Sequence, residues 1–121
     1  MTFLTITIPL PPAALKPNTR CHWTQKARAT KTYRLQARLA AASAIKGPPP
    51  RWLKASVQVK AYYPTARHQD PDNCVASLKA VFDGIADAGV IANDKDLWPE
   101  RPQIFKDPAN PRIELTITEE L

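Results

Sequence analysis

Apolar and polar positions alternate strictly over residues 4–10: Leu4, Ile6, Ile8 and Leu10 are apolar, with Thr5, Thr7 and Pro9 between them. A period of two predicts a strand with one buried face, and Pro9, Pro11 and Pro12 end it. The alternation returns at Ala55, Val57, Val59 and Ala61, against Ser56, Gln58, Lys60 and Tyr62, and again at Ile113, Leu115 and Ile117. A weaker strand is expected near 101–106, before a turn at residues 107–111 (DPANP). Two segments carry helical spacing instead. Over 30–46, Tyr33, Ala37, Ala40, Ala41 and Ala44 share one face, and their small side chains let a helix lie close to a sheet. Thr30 or Thr32 can cap this helix, and Gly47–Pro48 stops it. Over 72–88, Val75, Leu78, Phe82 and Ile85 recur at spacings of three, four and three, and Gly89 suits the C′ position. The order β-α-β-α-β-β predicts one α/β (α+β) domain, a mixed β-sheet with two main helices. A length of 121 residues fits one domain with a small core.

Residues 11–29 read as a long loop carrying Lys16, Arg20, His22, Trp23, Lys26 and Arg28. A loop of such length in a small domain is usually functional or disordered; its basic and aromatic content suits phosphate and base contact, and the alternative is a mobile surface loop. Lys31, Arg34 and Arg38 continue the basic series as a stripe on the first helix. Leu35 and Leu39 adjoin the stripe off the alanine face, where exposure would point to a partner subunit.

Charge sharpens this picture. Residues 1–60 hold eleven Lys and Arg and no Asp or Glu, whereas residues 61–121 hold six Lys and Arg and all eleven acids. The halves therefore carry +11 and −5, and the pI is about 9.6. An all-basic half is the electrostatic footprint of a nucleic-acid binder. Cys21 and Cys74 make no metal-site spacing, and reduced thiols in a cytoplasm are expected. Residues 1–8 (MTFLTITI) lack a charged n-region and alternate, so they read as a strand rather than a signal peptide. No apolar run approaches the ~20 residues of a membrane span. Three glycines leave no phosphate-binding loop, and two cysteines with two histidines, His22 and His68, are too few for a zinc site.

Against the basic background, Asp70 and Asp72 precede the second helix and Asp94 follows it. Carboxylate oxygens are the ligands a hard cation such as Mg²⁺ prefers, and Mg²⁺ with phosphates is the usual partnership of phosphodiester chemistry. In an extended loop Asp70 and Asp72, two apart, project to the same side. Asp72 also stands where the helix should start and reads equally as an N-cap. Along this helix Asp72, Lys79 and Asp83 fall within about 40° of one another. Lys79–Asp83 is either a solvated helical ion pair or a lysine placed to meet phosphate charge. Asp96 is as good a carboxylate as Asp94 on chemistry alone.

The series Asp70–Pro71–Asp72–Asn73, Leu78–Lys79, Phe82–Asp83, Ala88–Gly89–Val90–Ile91 and Asn93–Asp94 resembles the RusA family of Holliday junction resolvases. Residues 6–12 (ITIPLPP) and 113–119 (IELTITE) extend the resemblance over most of the chain. It implies a homodimeric endonuclease, encoded by bacteria or phages, that cuts branched DNA using Mg²⁺, with Mn²⁺ as a substitute. It implies that Asp70, Asp72 and Asp94 bind the metal and that Lys79 is the active-site lysine. Lys16, Arg20, Lys26, Arg28, Lys31, Arg34, Arg38 and Arg67 are then the expected DNA contacts. The sequence departs from the family pattern at Gln69, where an arginine is usual, in the spacing of Lys79 from Asp72, and at Asn93, where a second aspartate is usual.

Overall fold

The computed structural model describes residues 2–17, 19–65 and 69–121. Strand β1 (Phe3–Ile8) turns Leu4, Ile6 and Ile8 inward, as its alternation requires. It pairs antiparallel with β5 (Arg112–Glu119), which pairs antiparallel with β2 (Ala55–Tyr63). The far edge of β2 is shared by two short parallel strands. β3 (Leu97–Pro99) takes Ala55–Val57, and β4 (Gln103–Lys106) takes Lys60–Tyr63. The result is a mixed five-stranded sheet, order β1-β5-β2-β3, with β4 also on β2. In the centre, Ile113, Leu115 and Ile117 are wholly buried with Val57 and Val59. Each such side chain contributes roughly 1.5–3 kcal/mol by leaving water.

Helix α1 (Trp23–Ala44) packs on β1 and on α3 (Lys79–Asp87), which follows the short α2 (Pro71–Ser77). Tyr33, Ala37 and Ala41 are the buried residues of α1. The small-residue face thus serves a helix–helix contact as well as the sheet. Gly84 sets how close that contact is: a Cβ there would stand 2.3 Å from the backbone O of Arg34 and 2.8 Å from Ala37 Cβ. Helices and sheet share one core, including Leu78, Val81 and Ile85. The opposite sheet face carries Thr5, Gln58, Tyr62, Trp98 and Phe105 outside that core.

The α+β class and mixed sheet agree with the sequence reading, while three boundaries differ. First, α1 begins at Trp23, seven residues before 30. His22 caps it through Nδ1, which accepts from Thr24 N at 3.2 Å. Thr30 spends its hydroxyl inside the helix, donating to Lys26 O at 2.8 Å. Residues 23–29 are good helix formers exposed nearly all round, so they carry no apolar period to reveal them. Second, the helix over 72–88 is two helices. Ser77 Oγ donates to Cys74 O at 2.7 Å, Leu78 N bonds Val75 O, and Leu78 leaves helical geometry at φ −99°, ψ 7°. A Ser hydroxyl bonded back to its own turn bends a helix in this way. There are thus three helices among the described residues, not two. Third, β3 is an added strand, too short for a period to show.

Candidate functional site: a cleft beside the joint of two helices

Asp70 is extended (φ −103°, ψ 122°) and caps α2: its Oδ1 accepts from Asp72 N at 2.8 Å and from Asn73 N at 3.4 Å. Pro71 occupies the first turn, where its missing N–H costs nothing. The capping duty expected of Asp72 therefore falls to Asp70. The loop does not stay extended through Asp72, which is already helical. Asp70 lines a cleft of about 560 Å³ together with Lys16, Tyr63, Gln69, Asn73 and Ser77.

Lys79 opens α3 on the other side of the joint. Its Nζ lies 2.8 Å from Asp83 Oδ1 and 3.9 Å from Asp94 Oδ2. The joint at Leu78 separates Asp72, in α2, from Lys79, in α3. Within α3 Lys79 meets Asp83 one turn on, and across the fold it meets Asp94. The Lys79–Asp83 pair, exposed at the lysine, stabilises by about 1 kcal/mol at most. A second cleft, lined by Lys26, Thr30, Ser77, Lys79 and Asp83, shares Pro17 and Ser77 with the first.

Asp94 reaches Lys79 through a chain of backbone constraints. After α3, Gly89 takes φ +84°, a left-handed conformation open to glycine, and a Cβ there would also lie 2.7 Å from Pro49 Cβ. The chain then pairs with the segment before β2: Arg51 N bonds Gly89 O, Trp52 N bonds Val90 O, and Ala92 N bonds Trp52 O. Val90 and Ile91 are buried. Asn93 caps a 3₁₀ turn over Asp94–Asp96, accepting from Lys95 N at 3.2 Å. Asn93 thus orients the turn that presents Asp94, while Asp96 sits half-buried in it.

Among the described residues, no three His, Cys, Asp or Glu side chains are grouped closely enough to hold a metal ion. Asp70, Asp72 and Asp94 are nevertheless all exposed, and their donors are hard carboxylate oxygens. Asp70 keeps Oδ2 outside its capping bonds, and the contact of Asp94 to Lys79 is long. By donor chemistry the set suits Mg²⁺.

The basic residues divide among several surfaces. Lys16 lines the Asp70 cleft and Lys26 the Lys79 cleft. Lys26, Lys31 and Arg34 line a neighbouring groove with Trp23. Arg28 faces another groove with Gln25 and Gln36. Arg20 and Arg38 are exposed. Arg34 holds Asp87 through two bonds of 2.6 and 2.8 Å, which keeps its guanidinium firmly charged and the Asp87 carboxyl below its ordinary range. Arg67 and His68 lie outside the described residues. Leu35 and Leu39 are exposed on the solvent side of α1, as their position off the alanine face predicts.

Cys74 and Tyr63 also line the Asp70 cleft, and the buried Tyr33 is close enough to interact with both. Burial pushes the Cys74 thiol up, against the opposing effect of its hydrogen bond with Tyr63, and it pushes up both phenols. Tyr33 donates to Pro9 O at 2.7 Å. A buried thiol held protonated is no nucleophile. Both cysteines are free. Sequence reasoning placed Asn73 and Asn93 in the family-like series without giving either a role, and gave Ser77 no part in the site. Asn93 before two spaced aspartates is the one recognisable signal, as a turn cap.

No helix among the described residues is long and apolar enough to cross a membrane. No family model matches the chain. An uncharacterized protein of Xylella fastidiosa is 38% identical to it over 87 residues, covering 69% of this chain and 56% of that protein. The chain spans little more than half the length of that relative.

Proposed function

We propose that the protein is a Mg²⁺-dependent, structure-selective DNA endonuclease that resolves four-way junctions by paired nicks. The observation that carries this reading is the return of Asp94 to Lys79 at 3.9 Å. It joins residues fifteen apart in sequence, both belonging to the series that resembles the RusA resolvases. Asp70, Asp72 and Asp94 would hold the cation, whose chemistry is to supply a hydroxide-like water and stabilise the leaving oxygen. Lys79 meets the negative charge of the phosphate. Lys16 and Lys26, on the walls of the adjoining clefts, guide the backbone past these groups. Two cuts on a two-fold junction call for a two-fold homodimer, and the exposed Leu35 and Leu39 offer apolar surface for one. The setting we infer is the cytoplasm of a bacterium, or of one infected by a phage.

A second reading, a nucleic-acid-binding module without catalysis, is favoured by one observation. Asp70 is engaged as a cap and Lys79 as an ion pair. Incubating the full chain with a labelled four-way junction in Mg²⁺, then in chelator, separates the two. Paired nicks that vanish with chelator, and that Asp72→Asn and Asp94→Asn abolish while junction binding persists, are the expected result. Binding without nicks in either Mg²⁺ or Mn²⁺ overturns the nuclease. Cutting at the wild-type rate by either variant overturns the metal assignment.

A further inference from the structure

We propose that Trp23 is a stacking platform for an unpaired base, placed one groove away from the phosphate site. This inference rests on the nucleic-acid reading above and names how a branch point is recognised. Trp23 is 74% exposed at the start of α1, whereas Trp52 is 6% exposed in the core. Its ring contacts that of His22, tilted by 32° at 5.5 Å. Its indole has no place in the core, and an exposed aromatic face is the surface on which a base stacks. The surroundings state the ligand's charge. Lys26, Lys31 and Arg34 line the groove with Trp23, and no acidic residue lines it. Lys26 and Lys31 enter no ion pair among the described residues.

Position supplies the link to chemistry. The groove shares Lys26 and Thr30 with the cleft that holds Lys79 and Asp83. A nucleic-acid strand that follows these cations past Lys79 brings a neighbouring base to the indole. Every base offers a π-face, so stacking tolerates any sequence but requires an unpaired or unstackable base. In a continuous duplex every base is stacked on both sides, whereas a pair at an opened branch point has lost a stacking neighbour and exposes a base at lower cost. Trp23 therefore reads structure rather than sequence. Trp98, also exposed, is placed differently: it lies on the far sheet face with Lys54 5.5 Å from its ring.

The test uses the full chain in Ca²⁺, a four-way junction carrying 2-aminopurine at the branch, and a linear duplex of equal length. Trp23→Ala is expected to weaken junction binding about tenfold, to change duplex binding little, and to lose the 2-aminopurine quenching that wild type produces. Trp23→Phe keeps most of both signals, and Trp98→Ala keeps all. Wild-type junction affinity and quenching in Trp23→Ala, or equal losses on junction and duplex, overturn the inference. Circular dichroism of the variants verifies folding, and the exposed Trp23→Phe is the second variant should Trp23→Ala fail to fold. Cutting by wild type in Mg²⁺ is measured separately. Nicks without Trp23-dependent quenching sink the platform alone; Trp23-dependent quenching without nicks sinks the nuclease alone.

Discussion

Asp70 shows how one side chain can serve fold and chemistry at once. Its Oδ1 accepts two backbone N–H groups at the start of α2. An asparagine keeps a side-chain oxygen for that purpose and ranks with Asp as a cap, while alanine leaves the donors bare. Asp70→Ala is therefore expected to cost about 0.5–2 kcal/mol of stability, and Asp70→Asn much less, by urea denaturation. If Asp70 is a metal ligand, both variants lose Mg²⁺-dependent cutting alike. Stability and activity then part company in Asp70→Asn, and equal destabilisation by the two variants would remove the capping role.

Between elements, α1 and α3 are held close by the missing side chain of Gly84 and tied at the surface by Arg34 and Asp87. The hydrogen bonds from Arg34 hold the Asp87 carboxyl below its ordinary value. A group with a lowered folded pKa binds fewer protons folded than unfolded, so its stabilisation is present above the unfolded value of ~3.9 and fades as pH falls through the folded one. Asp87→Asn should lower the urea midpoint slightly at neutral pH, the pair being exposed. The difference from wild type should close as pH drops below about 4. A gap that persists undiminished in acid would mean the loss is packing, not charge. The joint between α2 and α3 is the second consequence at this scale. Ser77 closes back on Cys74 where α2 ends, and Lys79 at the start of α3 lies within reach of Asp94.

For the whole molecule the asymmetry of charge dominates, because the acid-free half supplies β1, the loop after it and all of α1. Binding of a polyanion by such a surface releases condensed counterions, and log K falls with log salt by about 0.9 per phosphate neutralised. The cations are not equivalent. Among the described residues Lys26 and Lys31 enter no ion pair, whereas Arg34 is engaged with Asp87. Lys26→Ala and Lys31→Ala are each expected to reduce the salt slope of junction binding by about one. Arg34→Ala is expected to change the slope less and the stability more. Fluorescence anisotropy titrations across a salt series measure this, and identical slopes for all four proteins would remove the groove from the binding surface.

The three long strands were legible in the chain itself, because a period of two has one physical meaning when the apolar residues are Leu, Ile and Val. Leu4, Ile6, Ile8, Val57, Val59, Ile113, Leu115 and Ile117 are buried as the alternation requires. The chain also showed the carboxylates, the lysine and the basic half, since residue type and count need no coordinates. The first two turns of α1 left no trace, because an exposed polar helix has no apolar period. The break at Leu78 was hidden because the buried stripe of α2 and α3 runs across it; only the hydroxyl of Ser77 marks the bend, and that is a contact rather than a pattern. Spacing alone did not choose between Asp94 and Asp96; the resemblance pointed to Asp94, and the fold brings Asp94 to Lys79. Asp94 and Asp96 are chemically identical, and the choice belongs to the pairing of residues 89–92 with the segment around Trp52, forty residues earlier, which no local spacing encodes.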